Sequence, residues 1–314
     1  MYFERAIIVG HEGQDGRILT QQLISQQCLV LGIGRDSIKT SDGSNSLTNL
    51  NSHNPDEVLA LVEAFRPQVI FFLAAYHNSS EDQLDSSGDL IRKTYDIALT
   101  ILVNFLEAIR VASPACRFVF AASSHIFINS QNYPQSETTP YAPNSVYGYA
   151  KLNGLYLCRY YRHNIGLRVS TAILFNHESE FRSEKFVSTK LMMGAIRIHK
   201  GISKQIEIGN LQAKTDWGYA YDYCDAMYRI AQVEADEFVV ATGVLHTVAD
   251  FAEAAFMNLG LDYRNFVIEK AKKVRNTATF LQGDSTKLRK LTNWKPTVDF
   301  RSMVAKIMEK LSTI

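Results

Sequence analysis

Ala6-Ile7-Ile8-Val9 runs straight into Gly10-His11-Glu12-Gly13-Gln14-Asp15-Gly16, and a helical pattern opens at Ile18-Leu19. This is the most constraining feature of the chain. A buried strand, a glycine turn and a helix start in that order let a backbone approach a diphosphate, with the helix N-terminus supplying partial positive charge. Further apolar runs follow at Cys28 to Ile33, Val69 to Leu73, Phe118 to Ala122 and Val169 to Phe175. They are continuous rather than alternating, as strands covered on both faces require. Helical patterns lie between them, so the chain reads as α/β with a Rossmann-type doubly wound parallel sheet. Asn54-Pro55-Asp56-Glu57 reads as a helix start, with Asn54 as cap and Glu57 reaching back. Residues 37–52 are polar and turn-rich and read as a loop.

Composition excludes several classes. With 314 residues, 46% of them hydrophobic, the chain can bury a large core. A net charge of +1 offers no surface for nucleic acid. No apolar run approaches the roughly 18–20 residues of a membrane span, and no signal peptide is read at the start. Cys28, Cys116, Cys158 and Cys224 are far apart and read as buried thiols of a cytoplasmic protein. The eight histidines lack ligand spacing, so no metal site is expected.

Tyr147 and Lys151 stand four residues apart, on one face of a helix. An ammonium beside a phenol favours the phenolate, so the pair is read as a phenol tuned for proton exchange during hydride transfer. The second strand ends in Gly32-Ile33-Gly34-Arg35-Asp36. Arg35 can pair with a 2′-phosphate, which leads to NADP; Asp36 can accept from free ribose hydroxyls, which leaves NAD open. The apolar helices 97–111 and 147–162 are read as burying a second face in a homodimer.

The chain resembles an extended short-chain dehydrogenase/reductase of the GDP-mannose 4,6-dehydratase family, within the NAD-dependent epimerase/dehydratase superfamily. The resemblance rests on the glycine run and on Pro134 to Pro140 followed by Tyr147 and Lys151. Ile173 to Ser179, Lys185 to Lys190, Gly209-Asn210, Asp216 to Tyr223, Asp236 to Gly243, and Gly283 to Pro296 also carry it. It implies a dinucleotide-binding domain over 1–172, with about 210–245 returning to it, and a smaller nucleotide-sugar domain mainly over 173–314. It implies Ser123, Tyr147 and Lys151 as catalytic residues at the sugar O4, with His125 beside them. The cofactor would meet Gly10, Gly13, Gln14, Asp15, Gly16, Arg35, Asn49, Leu50, Leu73, Ala74, Ala75, Lys151, His177 and Arg182. Ser124, Asn176, Lys190 and Arg275 would meet the nucleotide sugar, a GDP-hexose or a relative of one.

The chain also departs from that family. His125 stands where the dehydratases carry the glutamate that takes the proton from C5. An imidazole can act as that base when neutral, or can hydrogen-bond a sugar oxygen in a site limited to redox chemistry. Thr215 stands where an arginine for the diphosphate is expected, with Lys214 next to it. The segment after Arg35 lacks the arginine and serine cluster that reaches a neighbouring subunit, which favours a dimer over a tetramer. Ile128 follows Phe127 where the family has glycine. Two enzymatic readings follow, a 4,6-dehydratase or a 4-ketoreductase, 4-dehydrogenase or 4-epimerase. A third, a nucleotide-sensing module without catalysis, is opposed by the intact Ser123, Tyr147 and Lys151.

Overall fold

The computed structural model describes residues 2–35, 37–42, 50–76, 88–270 and 280–313. Their strands are β1 (Arg5–Val9), β2 (Leu29–Ile33), β3 (Ile38–Thr40), β4 (Val69–Phe72), β5 (Arg117–Ser123), β6 (Arg168–Leu174), β7 (Asn176–Glu178), β8 (Ile206–Ile208), β9 (Lys214–Tyr219), β10 (Glu237–Val240), β11 (Leu245–Thr247) and β12 (Val267–Glu269). The α-helices are α1 (Gln14–Ser25), α2 (Pro55–Phe65), α3 (Gly88–Tyr95), α4 (Leu102–Ala112), α5 (Val146–Tyr160), α6 (Val187–His199), α7 (Ala220–Ile230), α8 (Val248–Met257), α9 (Thr286–Thr292) and α10 (Phe300–Ser312).

The main sheet runs β10-β6-β5-β4-β1-β2-β3. Every pairing is parallel except β2 with β3, which is antiparallel. The sheet is therefore parallel with one reversed edge, and residues 38–40 form that edge rather than the loop expected from their polarity. The apolar strand segments are almost wholly buried, including Ile7, Ile8, Val69 to Phe72 and Phe118 to Phe120, because helices cover both faces. Asn54 caps α2 by accepting from the Asp56 backbone N–H at 3.0 Å. Glu57 reaches the Asn51 backbone N–H and the Asn54 side chain instead of the cap's own backbone. The helix expected from residue 97 begins as a π-helical stretch, Asp96–Ile101, before α4. The later one starts earlier than its apolar pattern, at Val146, because Ser145 accepts from the Gly148 backbone N–H at 3.1 Å.

A second core lies among α6, α8 and α10 and one face of the β11-β9-β7 sheet, with Trp217, Phe251 and Phe300 in mutual ring contact. The first core takes back α7 and β10, and also Leu281, Leu288 and Trp294 from further along the chain. The Asp222 carboxylate accepts from the Thr297 backbone N–H and hydroxyl, and the Trp294 indole donates to the Asp222 carbonyl at 2.9 Å. No described helix is long and apolar enough to cross a membrane.

Candidate active site

Strand order reverses at β1 and β4, the place in an open α/β sheet where a crevice forms beyond the strand ends. Gly10 sits there with φ of +92°, and an added Cβ would lie 2.8 Å from the Ala74 backbone nitrogen. Only glycine meets both demands. At Gly16 a Cβ would come within 2.4 Å of the Gly10 carbonyl oxygen, so helix and turn pack backbone to backbone. Gly13, which caps α1, is open by contrast: an added Cβ would meet only the Gly10 oxygen, at 3.4 Å. Fingerprint, Leu73 and Ala74 thus converge around a helix N-terminus with room over Gly13, and the exposed Ala75 follows directly. That cradle suits a dinucleotide diphosphate.

The first turn of α1 is tied to β7. Both Asp15 carboxylate oxygens lie 3.0 Å from His177 Nε2, and His177 Nδ1 lies 2.7 Å from the Phe175 carbonyl oxygen. Both ring nitrogens face acceptors, so both must donate and the ring is an imidazolium. Burial pulls the Asp15 pKa up, but the charge and hydrogen bond of His177 outweigh it and hold the carboxyl below its ordinary range. Burial likewise opposes the charge on His177, and Asp15 overcomes it, raising that pKa. Gln14 Nε2 donates to the His177 carbonyl at 3.1 Å, and the Ser179 hydroxyl donates to Gln14 Oε1 at 2.9 Å. Tyr223 stacks on the His177 ring, centroids 4.6 Å apart. Arg182 follows in the same segment, its guanidinium 3.7 Å over the Phe186 ring and its Nε 3.5 Å from Glu178.

The chemistry-bearing hydroxyls lie at the end of β5. Ser123 is its last residue, and its hydroxyl accepts from the His125 backbone N–H at 3.3 Å, which starts a 3₁₀ turn over Ser124–Phe127. That turn sets the His125 ring edge-on to Tyr147, centroids 5.5 Å apart. Tyr147 and Ser123 hydrogen-bond through their hydroxyls. Burial of His125, aided by the charge of Arg182, lowers its pKa and keeps the imidazole neutral at pH 7.

The tuning of the phenol differs from expectation. Lys151 does lie one helical turn from Tyr147, its Nζ 5.8 Å from the ring centroid. Its ammonium, however, donates to the Ala121 carbonyl at 2.6 Å and lies over the Phe120 ring. Burial pushes the Tyr147 phenol up to about 12, with Ser123 and Arg182 only partly opposing it. Burial also pulls Lys151 down to about 8. Spacing placed the two side chains together; the loss of water decided their proton affinities. Asp15 acts electrostatically on both, so the fingerprint end and the hydroxyl end form one site.

The residues expected at the sugar nucleotide are more dispersed. Asn176 opens β7 and pairs with Trp217 of β9. Glu178, two residues on, accepts from the Ser188 hydroxyl at the start of α6. This face therefore looks toward α6, which also carries Lys190. Ser124 is fully buried. Thr215 lies on the face of β9 shared with Trp217, whereas Lys214 alternates to the face shared with Asp216. Asn49, Arg275 and Asp36 fall outside the described residues. Leu50 is half-buried against the first core, and Arg35 is exposed just past β2. One acid went unnoticed in the sequence: the Glu12 carboxylate accepts from the Ser37 hydroxyl at 2.8 Å, at the end of β2. Its place inside the glycine run was the available signal.

A doubly wound sheet with an open fingerprint and a serine, tyrosine and lysine at the neighbouring strand end defines an extended short-chain dehydrogenase/reductase. Solved structures share the fold over nearly the whole chain. RMD from Pseudomonas aeruginosa in complex with NADPH superposes with a TM-score of 0.83 at 19% identity, covering 99% of each chain. The dTDP-glucose 4,6-dehydratase from Bacillus anthracis in complex with NAD gives 0.80 at 14% identity, covering 97% of this chain and 95% of that one. The model of the GDP-mannose 4,6 dehydratase family matches residues 7–307, and the chain belongs to that family. GDP-mannose 4,6 dehydratase 2 of Arabidopsis thaliana is 32% identical over 97% of this chain and 86% of its own length.

Proposed function

We propose that the protein is a nucleotide-sugar 4,6-dehydratase acting on a GDP-linked hexose, with a bound nicotinamide dinucleotide used catalytically. The observation that carries the reading is the hydrogen-bonded pair of Ser123 and Tyr147 at the end of β5, within reach of the charge of Asp15 at the fingerprint. A bound nicotinamide would supply the hydride acceptor for sugar C4 and the hydride donor for C6, once the C5 proton and the C6 hydroxyl have left as water. Ser123 holds the C4 oxygen by a hydrogen bond while Tyr147, in its phenolate form (the minor one at a pKa of about 12), takes the C4 hydroxyl proton, and Lys151 holds the ribose beside the phenol. The Asp15–His177 pair and Arg182 fix the segment that meets the diphosphate, and Asn176 and Lys190 meet the sugar nucleotide. Arg35 supports NADP as the dinucleotide; Glu12 pulls the other way.

His125 favours a second reading, a 4-ketoreductase, 4-dehydrogenase or 4-epimerase. Its ring lies beside Tyr147 with its pKa depressed. A neutral imidazole can remove the C5 proton, and can equally serve as a fixed hydrogen-bond partner while hydride moves at C4 alone. Incubation with GDP-mannose in deuterated water separates the two. A 4-keto-6-deoxy product carrying deuterium at C5 supports dehydration. Oxidation of reduced dinucleotide by a 4-keto sugar, with no deuterium incorporated, supports the second reading. Saturable nucleotide binding without turnover removes both.

A homodimer is part of the proposal. Tyr149, Tyr156 and Tyr160 are 49%, 46% and 52% exposed along α5, a surface suited to a second copy. Sedimentation as a monomer at micromolar concentration refutes it. Four buried free cysteines fit a reducing cytoplasm.

A further inference from the structure

Glu12 occupies a position in the glycine run that fingerprint logic leaves unassigned. Its backbone is stitched to the end of β2. The Gly10 and His11 backbone N–H groups donate to the Ile33 carbonyl at 2.7 and 3.4 Å, and Arg17 Nε donates to the Glu12 carbonyl at 2.9 Å. The side chain then reaches over Gly34 into the turn closed by the Gly34 N–H to Ser37 carbonyl bond of 2.8 Å. Glu12 Oε2 would lie 2.7 Å from a Cβ added at Gly34. The Ser37 hydroxyl and the Arg35 backbone N–H both donate to the carboxylate, which lowers its pKa although burial opposes. The residue remains exposed, so the oriented carboxylate is open to a ligand.

In a doubly wound sheet, the diphosphate rests at the N-terminus of the first helix and the adenosine ribose lies over the end of the second strand. An acid there accepts from the free ribose hydroxyls. We propose that Glu12 reads those hydroxyls and makes NAD the preferred dinucleotide of this chain. The inference rests on the dinucleotide reading above and decides between its two forms.

A 2′-phosphate would place about two negative charges against a carboxylate already held in position, an arrangement that costs affinity. The basic side chains acting on Glu12 are His11 in the loop and the exposed Lys39, while Arg35 reaches it through its backbone N–H. No ion pair or side-chain hydrogen bond among the described residues fixes the Arg35 guanidinium. Glu12, by contrast, is oriented before any ligand arrives.

Dissociation constants for NADH and NADPH, read by nicotinamide fluorescence on cofactor-stripped protein, test the proposal without any sugar. The wild-type chain binds NADH at least about tenfold more tightly. Glu12→Gln keeps the shape and removes the charge. It shrinks that ratio by about tenfold, chiefly through tighter NADPH binding. Ser37→Ala, which frees the carboxylate, moves the ratio the same way by a smaller factor. Unchanged melting temperatures confirm that the variants fold. Tighter NADPH binding by the wild-type chain overturns the proposal, as does a ratio that ignores Glu12→Gln. Failure of either dinucleotide to bind removes the dinucleotide reading as well.

Discussion

Replacing Asp15 by asparagine tests whether the first turn of α1 is held to β7 by charge. Asparagine keeps the shape and an acceptor, and removes the anion facing His177. At 3.0 Å, with an effective dielectric constant of about 20, the gross attraction is about 5 kcal/mol. Part of that is offset by taking both groups out of water, so the loss on removing one partner is about 3 kcal/mol. For a chain of this length the melting temperature should fall by about 5 °C. The dependence on pH is the sharper test. Asp15 is depressed below its ordinary 3.8, so its contribution is present above that value and is lost as pH falls through its folded pKa. His177 is raised above 6.5, so its contribution is present below that value and is lost as pH rises through its folded pKa. The gap in melting temperature between wild type and Asp15→Asn, measured by calorimetry without cofactor, should be widest between pH 3.8 and 6.5 and should close on both sides. A gap of equal size at pH 5.5 and pH 9 would refute the reasoning, because the imidazolium would then not be part of the bond.

Gly154 packs so that an added Cβ would lie 2.5 Å from Phe120 Cζ, under the strand that carries Ser123; Gly154→Ala should cost about 1–3 kcal/mol in denaturant unfolding. Glu237 lies buried between Arg159 and Arg162 at 2.6 and 2.8 Å, and Glu237→Gln should destabilise by about 3 kcal/mol at pH 7. Its carboxyl is held below 4.5, so that difference should fade as pH falls through the acid range, which urea titrations at several pH values would read. Tyr147→Phe should lower turnover of a GDP-sugar by about a hundredfold or more while dinucleotide affinity stays within about twofold, as separate kinetic and binding titrations would show.

The main sheet was legible because strands buried on both faces must be apolar throughout, and Ala6 to Val9, Val69 to Phe72 and Phe118 to Ala122 carry that demand in the chain itself. β3 was not legible: three residues at a solvent-facing edge need no apolar signature, and their pairing with β2 is set by the turn at Gly34. The π-helical start at Asp96 leaves no mark in periodicity. At the site, residue identity and spacing brought Ser123, Tyr147 and Lys151 together, but proton affinity depends on burial, and burial is a property of the folded chain. Asp15 and His177 were each assigned to the cofactor separately, and 162 residues separate the partners of the bond that joins them. Glu12 escaped notice for the same reason, since its role depends on the turn of Gly34 to Ser37 coming back over the loop.

The return of distant residues to the first core bears on how the chain is made. β6 gains its outer neighbour only from β10, and Leu281, Leu288 and Trp294 complete the core around it. At a translation rate of roughly 5–20 residues per second, the flank of β6 stays unpaired for seconds while the intervening chain emerges from the ribosome. During that interval the nascent chain presents an open strand edge, a template for mispairing with its neighbours. Truncations ending before Glu237, which remove β10, would prolong that exposure indefinitely.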